Sequence, residues 1–148
     1  MGPVDRNGLE VLERAECLQL LATSKIGRLA YSRGGTLAVI PVNVACADDH
    51  MLFRLGTGAA LAAVYDKQLL TLEVDAIDLD TWCGWSINIV GAPEEIPAAL
   101  AGTVGQGLRS WLRPESTRLF SLRTDHLEGR RLAPPRRANP PPPSLRQP

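Results

Sequence analysis

Apolar residues recur at helical spacing near the start of the chain, which predicts a first helix ending near Ala22. Asn7 and Glu10 have the spacing of a capping box, so this helix is expected to begin close to Asn7. Its apolar positions are Val11, Leu12, Ala15, Leu18 and Ala22. A second, shorter helix rich in alanine and leucine is predicted over residues 59–66.

From Ile26 the apolar period falls towards two, which is typical of β-strands. Gly34 and Gly35 form a two-residue hairpin signal, and Pro41 predicts an edge, bulge or bend because it cannot donate a ladder hydrogen bond. Residues 124–129 are expected to form a closing turn. The predicted strands are residues 26–33, 36–46, 51–55, 69–75, 85–96 and 119–123.

Short strands in hairpin order with a few helices predict a mainly β fold, an antiparallel β-barrel with added helices. Length agrees, because 148 residues suit one domain with an appendage. We expect a domain over residues 1–133 and a proline-rich tail over residues 134–148 that is extended or disordered.

Charge and cysteine usage exclude several classes of protein. Residues 1–133 contain 13 basic and 16 acidic side chains, which argues against nucleic acid as a partner. The longest apolar stretch, residues 37–47, is too short to span a bilayer, and no signal-peptide core is found at the start. Three widely spaced cysteines without a CxxC motif indicate free thiols and a cytoplasmic location, and His50 and His126 alone exclude a histidine-rich metal site.

Two segments are candidates for ligand binding. Thr57 and Gly58, just before the second predicted helix, have backbone N–H groups that suit a phosphate, and Arg54 lies close enough to add a charge-assisted bond. An ordinary glycine turn is the alternative. Trp85 and Ser86 follow a loop and suit the border of a planar ligand, although a tryptophan there also suits core or interface packing.

Six short motifs in order resemble the pyridoxamine 5′-phosphate oxidase-like family, and more narrowly its small flavin-binding split-barrel proteins common in actinobacteria. The resemblance covers roughly residues 9–133. The motifs are IGRLAY at 26–31, LAVIPVN at 37–43, LFR at 52–54, GTG at 56–58, LEVD at 72–75 and GWS at 84–86.

The resemblance implies a split β-barrel that binds flavin mononucleotide (FMN) in a groove between the two subunits of a homodimer. Arg54 would contact the flavin phosphate, with Thr57 and Gly58 beside it. The Pro41, Val42 and Asn43 strand would run beside the isoalloxazine ring. The Gly-Trp-Ser step would place Trp85 and Ser86 near the pocket.

Departures from the family pattern leave the cofactor open. Relatives commonly have a threonine after the arginine and Ser/Thr-Lys at the start of the helix, where this chain has Leu55, Ala59 and Ala60. The resemblance implies a flavin-dependent oxidoreductase that transfers hydride or electrons to or from a small substrate, with FMN or a deazaflavin coenzyme. A non-catalytic flavin- or ligand-binding module and a cofactor-free interaction dimer are the alternatives.

Overall fold

The computed structural model describes residues 2–134, in which nine antiparallel strands form one curled sheet. The sheet order is β1-β9-β6-β5-β2-β3-β4-β8-β7, and this half-barrel confirms the expected mainly β fold. The strands are β1 Glu10–Leu12, β2 Ile26–Arg33, β3 Thr36–Ala47, β4 His50–Leu55, β5 Leu70–Asp78, β6 Cys83–Gly91, β7 Glu94–Glu95, β8 Arg118–Arg123 and β9 Leu127–Leu132. The α-helices are α1 Arg14–Ala22, α2 Ala59–Tyr65 and α3 Ala98–Val104, and a 3-10 turn covers Pro114–Ser116.

The β2–β3 hairpin lies where the glycine pair predicts it. Gly34 and Gly35 have φ angles of 53° and 82°, values that glycine adopts without strain. β3 pairs with β2 over residues 36–43 and with β4 over residues 44–47, so it belongs to both halves of the sheet. Pro41 lies in the part of β3 that pairs with β2 alone, so one side of the strand is an edge there. Proline has no backbone N–H, and an edge position tolerates its absence.

The first helix is shorter than predicted, and the capping box is wrong. Residues 10–12 form β1, which pairs with β9, and α1 begins only at Arg14. The backbone N–H groups of Asn7 and Leu9 donate to the Asp5 carboxylate, so Asp5 organises the turn that Asn7 was expected to begin. The strand pairing with β9 overrides the local helical pattern.

The predicted strand over residues 85–96 is two strands. β6 ends at Gly91, and after Pro93 the chain forms β7, which pairs with β8 in the other half of the sheet. Pro93 lacks the N–H that a continuing ladder needs. The predicted closing turn at 124–129 is also wrong beyond its first residues, because β9 begins at Leu127.

Apolar side chains of both halves meet in one core. Phe53 of β4 and Phe120 of β8 are fully buried, and their ring centroids lie 6.1 Å apart. Gly129 lets β9 approach the first helix, because a Cβ there would lie 2.5 Å from Sγ of Cys17. The core thus joins the first helix, the last strand and β4, the strand that carries Arg54.

No helix in residues 2–134 is long and apolar enough to cross a membrane. The tail predicted at 134–148 lies outside the described residues from 135 onward.

Candidate functional site

A cavity of about 150 Å³ opens where β3 leaves β2 and joins β4; we call it cavity A. Its floor comes from the middle of β3 and the end of β4, and its cover from the irregular segment that follows α3, residues 105–113. The lining contains no acidic side chain. It consists of Ile40, Pro41, Val42, Asn43, Arg54, Leu55, Arg109, Ser110, Trp111 and Leu112.

Arg54 is the more buried of the two arginines that line cavity A. It lies near the end of β4, is partly buried, and has no ion pair or side-chain hydrogen bond with any residue the structure describes. Its guanidinium lies against Gly105, where a Cβ would stand 2.7 Å from Nη2 of Arg54. A partly buried guanidinium without an acidic partner among the described residues suits an anionic ligand.

A hydrogen bond from the backbone of segment 105–113 to a side chain of β3 ties the two together. The N–H of Trp111 donates to Oδ1 of Asn43 at 3.1 Å, which holds the segment above the cavity. The Trp111 side chain remains 63% exposed, so its indole is free to stack on a planar ligand. Asn43 therefore positions the cover through its amide oxygen.

Two larger cavities adjoin cavity A. Cavity B, about 570 Å³, shares Arg54 with it and is lined by Thr57, Glu95 and Arg118 among others. Cavity C, about 520 Å³, shares Asn43, Arg109 and Trp111 with it, and Lys25 adds a second cation there. Cavity C has no acidic side chain in its lining, whereas Glu95 and Glu115 line cavity B.

The turn before α2 is exposed, whereas the first residues of α2 pack towards the core. Gly58 begins α2 with a φ of 149° and is exposed, and Thr57 lines cavity B. Ala60 is only 7% exposed and packs in the core, and Leu55 is 2% exposed. A lysine at position 60 would bury its ammonium group, so we do not expect it to restore a phosphate contact.

Trp85 and Ser86 lie away from cavity A within one chain. Both are on β6, which β5 and β2 separate from β3 in the sheet order. Trp85 packs against the core and borders a shallow cavity with Cys83 and Arg131. The hydroxyl of Ser86 donates to the carboxylate of Glu73 at 3.2 Å.

A charged cluster lies on the outer face of β2, β5 and β6. Arg28 stands 3.4 Å from the Glu73 carboxylate and 3.6 Å from that of Asp75. Burial raises the pKa of Glu73, the nearby Asp75 carboxylate raises it further, and the bonds from Ser86 and Arg28 act against both. The folded protein therefore holds the Glu73 proton more tightly than the unfolded chain does.

Replacing Glu73 by glutamine is expected to flatten the dependence of stability on pH. Because the pKa is raised on folding, ionising Glu73 lowers the free energy of unfolding as pH rises through that pKa. Glu73→Gln should gain stability relative to wild type between about pH 4 and pH 7, the range above the usual carboxyl pKa. Urea denaturation at several pH values measures this, with Glu128→Gln as the control because Glu128 is 78% exposed. If the difference in the free energy of unfolding between Glu73→Gln and wild type stays constant across that range, the prediction is contradicted.

Arg109 and Trp111 are not among the residues that the sequence predicts at the site. Both lie in segment 105–113, which has no regular structure, and only its crossing of β3 brings them to the cavity. The available signal was Gly105 and Gly107 directly before an arginine and a tryptophan, a combination typical of a turn that presents exposed side chains.

The curled antiparallel half-barrel is consistent with the split β-barrel fold of flavin-binding proteins. The sequence profile of the pyridoxamine 5′-phosphate oxidase family matches residues 13–131, and the chain belongs to that family. No curated protein sequence matches the chain.

Solved structures show the same fold. An FAD-binding protein from Mesorhizobium loti is 18% identical, with a TM-score of 0.68 over 84% of this chain and 99% of that one. An FAD-binding protein from Mycobacterium smegmatis is 25% identical, with a TM-score of 0.64 over 83% and 97%. The flavocytochrome Anf3 from Azotobacter vinelandii is 17% identical, with a TM-score of 0.64 over 97% and 88%.

Proposed function

We propose that this chain binds a flavin nucleotide in cavity A and serves as a flavin-dependent oxidoreductase for a small substrate. The observation that carries the proposal is Arg54, a partly buried guanidinium without an acidic partner in residues 2–134, which opens on an acid-free cavity. The family and the relatives named as FAD-binding support the choice of a flavin over other anions.

The residues of cavity A suit the parts of a flavin. Arg54 provides a forked donor for a phosphate. Pro41 and Val42 present apolar surface and strand backbone, and Trp111 presents an aromatic face to a ring. A bound flavin supplies the capacity to take up and return a hydride, while the chain orients it and limits access by water.

Cavity A alone is too small for a whole flavin nucleotide. Its volume of about 150 Å³ is below the roughly 300–1,000 Å³ of typical ligand sites. A flavin in cavity A must therefore extend into a neighbouring cavity or be covered by a second chain.

The absorbance spectrum of the purified protein tests the proposal. We expect bound flavin bands in the protein as isolated, or on adding FMN or flavin adenine dinucleotide (FAD), and loss of cofactor should lower the melting temperature. A deazaflavin coenzyme is the third ligand to add, since its ring has the same shape. If none of the three binds, the cofactor-free interaction dimer replaces this proposal.

A non-catalytic flavin-binding module is the second candidate. It is favoured by the lining of cavity A, in which arginine is the only ionisable residue type, so no side chain there suits general acid–base work. The two candidates differ in the rate at which the bound flavin is reduced by nicotinamide nucleotides. The non-catalytic module is favoured if nicotinamide nucleotides reduce the bound flavin no faster than free flavin. No other electron donor should then reduce the bound flavin faster either.

The partner we propose is a second copy of this chain, packed on the outer face of β2 and β3. Leu37 is 85% exposed, Val39 62% and Ile26 48%, and strand register places all three on one face. Pro41 belongs both to this face and to cavity A, so a copy packed here would also cover the cavity.

Replacing Val39 by aspartate is expected to turn a dimer into a monomer, because each subunit would bury a carboxylate in an apolar contact. Light scattering at micromolar concentration should give twice the chain mass for wild type and the chain mass for Val39→Asp. Leu69→Asp is the matched control, since Leu69 is 73% exposed but lies outside β2 and β3. A wild-type monomer would remove this proposal.

A further inference from the structure

The loop between β5 and β6 carries large apolar side chains that are mostly exposed; we call residues 77–82 the hairpin tip. Leu79 is 75% exposed, Trp82 65%, and Ile77, near the end of β5, 43%. Trp82 has a φ of 59°, in the left-handed region that bulky residues rarely adopt. An exposed indole held in an unfavourable backbone conformation indicates a binding surface rather than packing within the domain.

A fourth cavity, cavity D, lies beside the hairpin tip and has a volume of about 430 Å³. Asp78 lines it from the tip and Trp85 from β6, and its wall includes Pro134, the last residue that the structure describes. The β6–β9 ladder ends at the pair Gly84–Leu132, so β9 leaves the sheet where β6 begins. The chain beyond residue 134 therefore starts at this cavity.

The hairpin tip is acidic, and the chain that starts beside it is basic. Asp78 and Asp80 have no ion pair within residues 2–134. The backbone N–H groups of Thr81 and Asp80 donate to the Asp78 carboxylate at 3.0 and 2.8 Å and lower its pKa, so this carboxylate is charged at neutral pH. Residues 135–148 contain three arginines, six prolines and no acidic side chain. Opposite charges therefore favour contact between this segment and the tip.

The segment is long enough to reach the exposed indole. Trp82 and Pro134 each stand two residues beyond the last pair of the β6–β9 ladder, so each lies within about 7 Å of that pair. Six residues of polyproline II cover about 19 Å, and the four consecutive prolines at 140–143 begin six residues after Pro134. These prolines can therefore contact Trp82 of the same chain.

We propose that residues 135–148 bind, as a polyproline II segment, to the hairpin tip and cavity D of their own chain. The prolines contact the indoles of Trp82 and Trp85, and the arginines near the start of the segment face the Asp78 and Asp80 carboxylates. Polyproline II suits this surface because it is already extended before it binds and because aromatic-lined grooves recognise it. The bound segment covers the apolar tip, which would otherwise be open to other proteins.

The indole N–H signals of the full chain, labelled with ¹⁵N, test the contact by nuclear magnetic resonance. The chain has three tryptophans, so each gives one signal that a tryptophan substitution assigns. A tail variant changes the four prolines at 140–143 to serine and keeps the length of the chain. We expect the signals of Trp82 and Trp85 to shift between wild type and this variant. The signal of Trp111, which lines cavity A, should stay in place and serves as the internal control.

Trypsin cleavage after Arg136 and Arg137 measures how often the segment leaves the surface. Trp82→Gly should raise the cleavage rate about fivefold or more, because glycine accepts the φ of 59° and only the indole is lost. Asp80→Asn should raise the rate less, since it removes one charge and leaves both indoles. Leu69→Ala is the matched control and should leave the rate unchanged, because Leu69 is 73% exposed but lies at the opposite end of β5.

Three results would overturn the inference. Identical indole signals in wild type and the tail variant would show that the prolines contact neither tryptophan. Equal cleavage of wild type and Trp82→Gly would show that the hairpin tip does not hold the segment. Protection from trypsin that falls on dilution would assign the segment to the tip of a second chain instead of its own. All three measurements use the chain without added flavin, so they do not depend on the proposed function.

Discussion

Replacing Arg54 by alanine is expected to weaken FMN binding roughly 10- to 150-fold while leaving riboflavin binding nearly unchanged. The variant loses a charge-assisted bond to phosphate, worth about 1.5–3 kcal/mol, and riboflavin has the ring without the phosphate. Arg54 has no described acidic partner to leave behind, so the loss reports on the ligand and not on a broken ion pair. Fluorescence titration with both ligands measures the two constants.

Arg54→Lys separates charge from shape. It keeps a positive charge but loses the planar fork, so we expect a loss between those of wild type and Arg54→Ala. Equal losses for FMN and riboflavin would mean that Arg54 supports the shape of the cavity, for example through its contact with Gly105, and that the phosphate lies elsewhere.

Replacing Phe53 by alanine is expected to lower the free energy of unfolding by about 3–5 kcal/mol, the usual loss for a buried phenylalanine. Phe53 is fully buried, stacks on Phe120, and pairs across to Val44 on β3. The loss is a large share of a total stability of about 5–15 kcal/mol and should lower the melting temperature by roughly 10–20 °C. Urea denaturation measures it.

Two further variants show whether this loss comes from the core. Phe53→Leu fills most of the space and should lose clearly less, whereas Leu69→Ala, at a residue 73% exposed and outside the proposed dimer face, should change stability little. A loss below about 1 kcal/mol for Phe53→Ala would show that β4 lies outside the cooperative core. Flavin affinity should fall with stability in Phe53→Ala, because Phe53 directly precedes Arg54 on β4.

Sequence predicts those parts of the fold that neighbouring residues determine. The β2–β3 hairpin needs only an alternating pattern and Gly34-Gly35, both local signals. β1 could not be predicted in the same way, because it is three residues long and its partner strand lies at the other end of the domain, where Glu10 pairs with Arg131. Local helical spacing is the stronger signal there, and tertiary pairing overrides it.

In the candidate site, too, residues marked by neighbouring sequence could be predicted, and residues brought in by distant contacts could not. Arg54 was predictable because the strand and the glycine turn that mark it are contiguous in sequence. Arg109 and Trp111 were not, because they reach the cavity through a segment held across β3 by a single bond to Asn43. Trp85 and Ser86 were expected near the pocket from the family resemblance, but sheet order places them on β6, two strands beyond β2 in the same chain.

The place of β9 in the sheet has a consequence for synthesis of the protein. β9 is the last strand along the described chain, yet it lies inside the sheet between β1 and β6. While the ribosome is still making residues 127–132, β1 has no partner and one edge of β6 is open to other chains. The pairing of β1 and of this edge of β6 can therefore form only after residues 127–132 have emerged, so the sheet is completed late in synthesis.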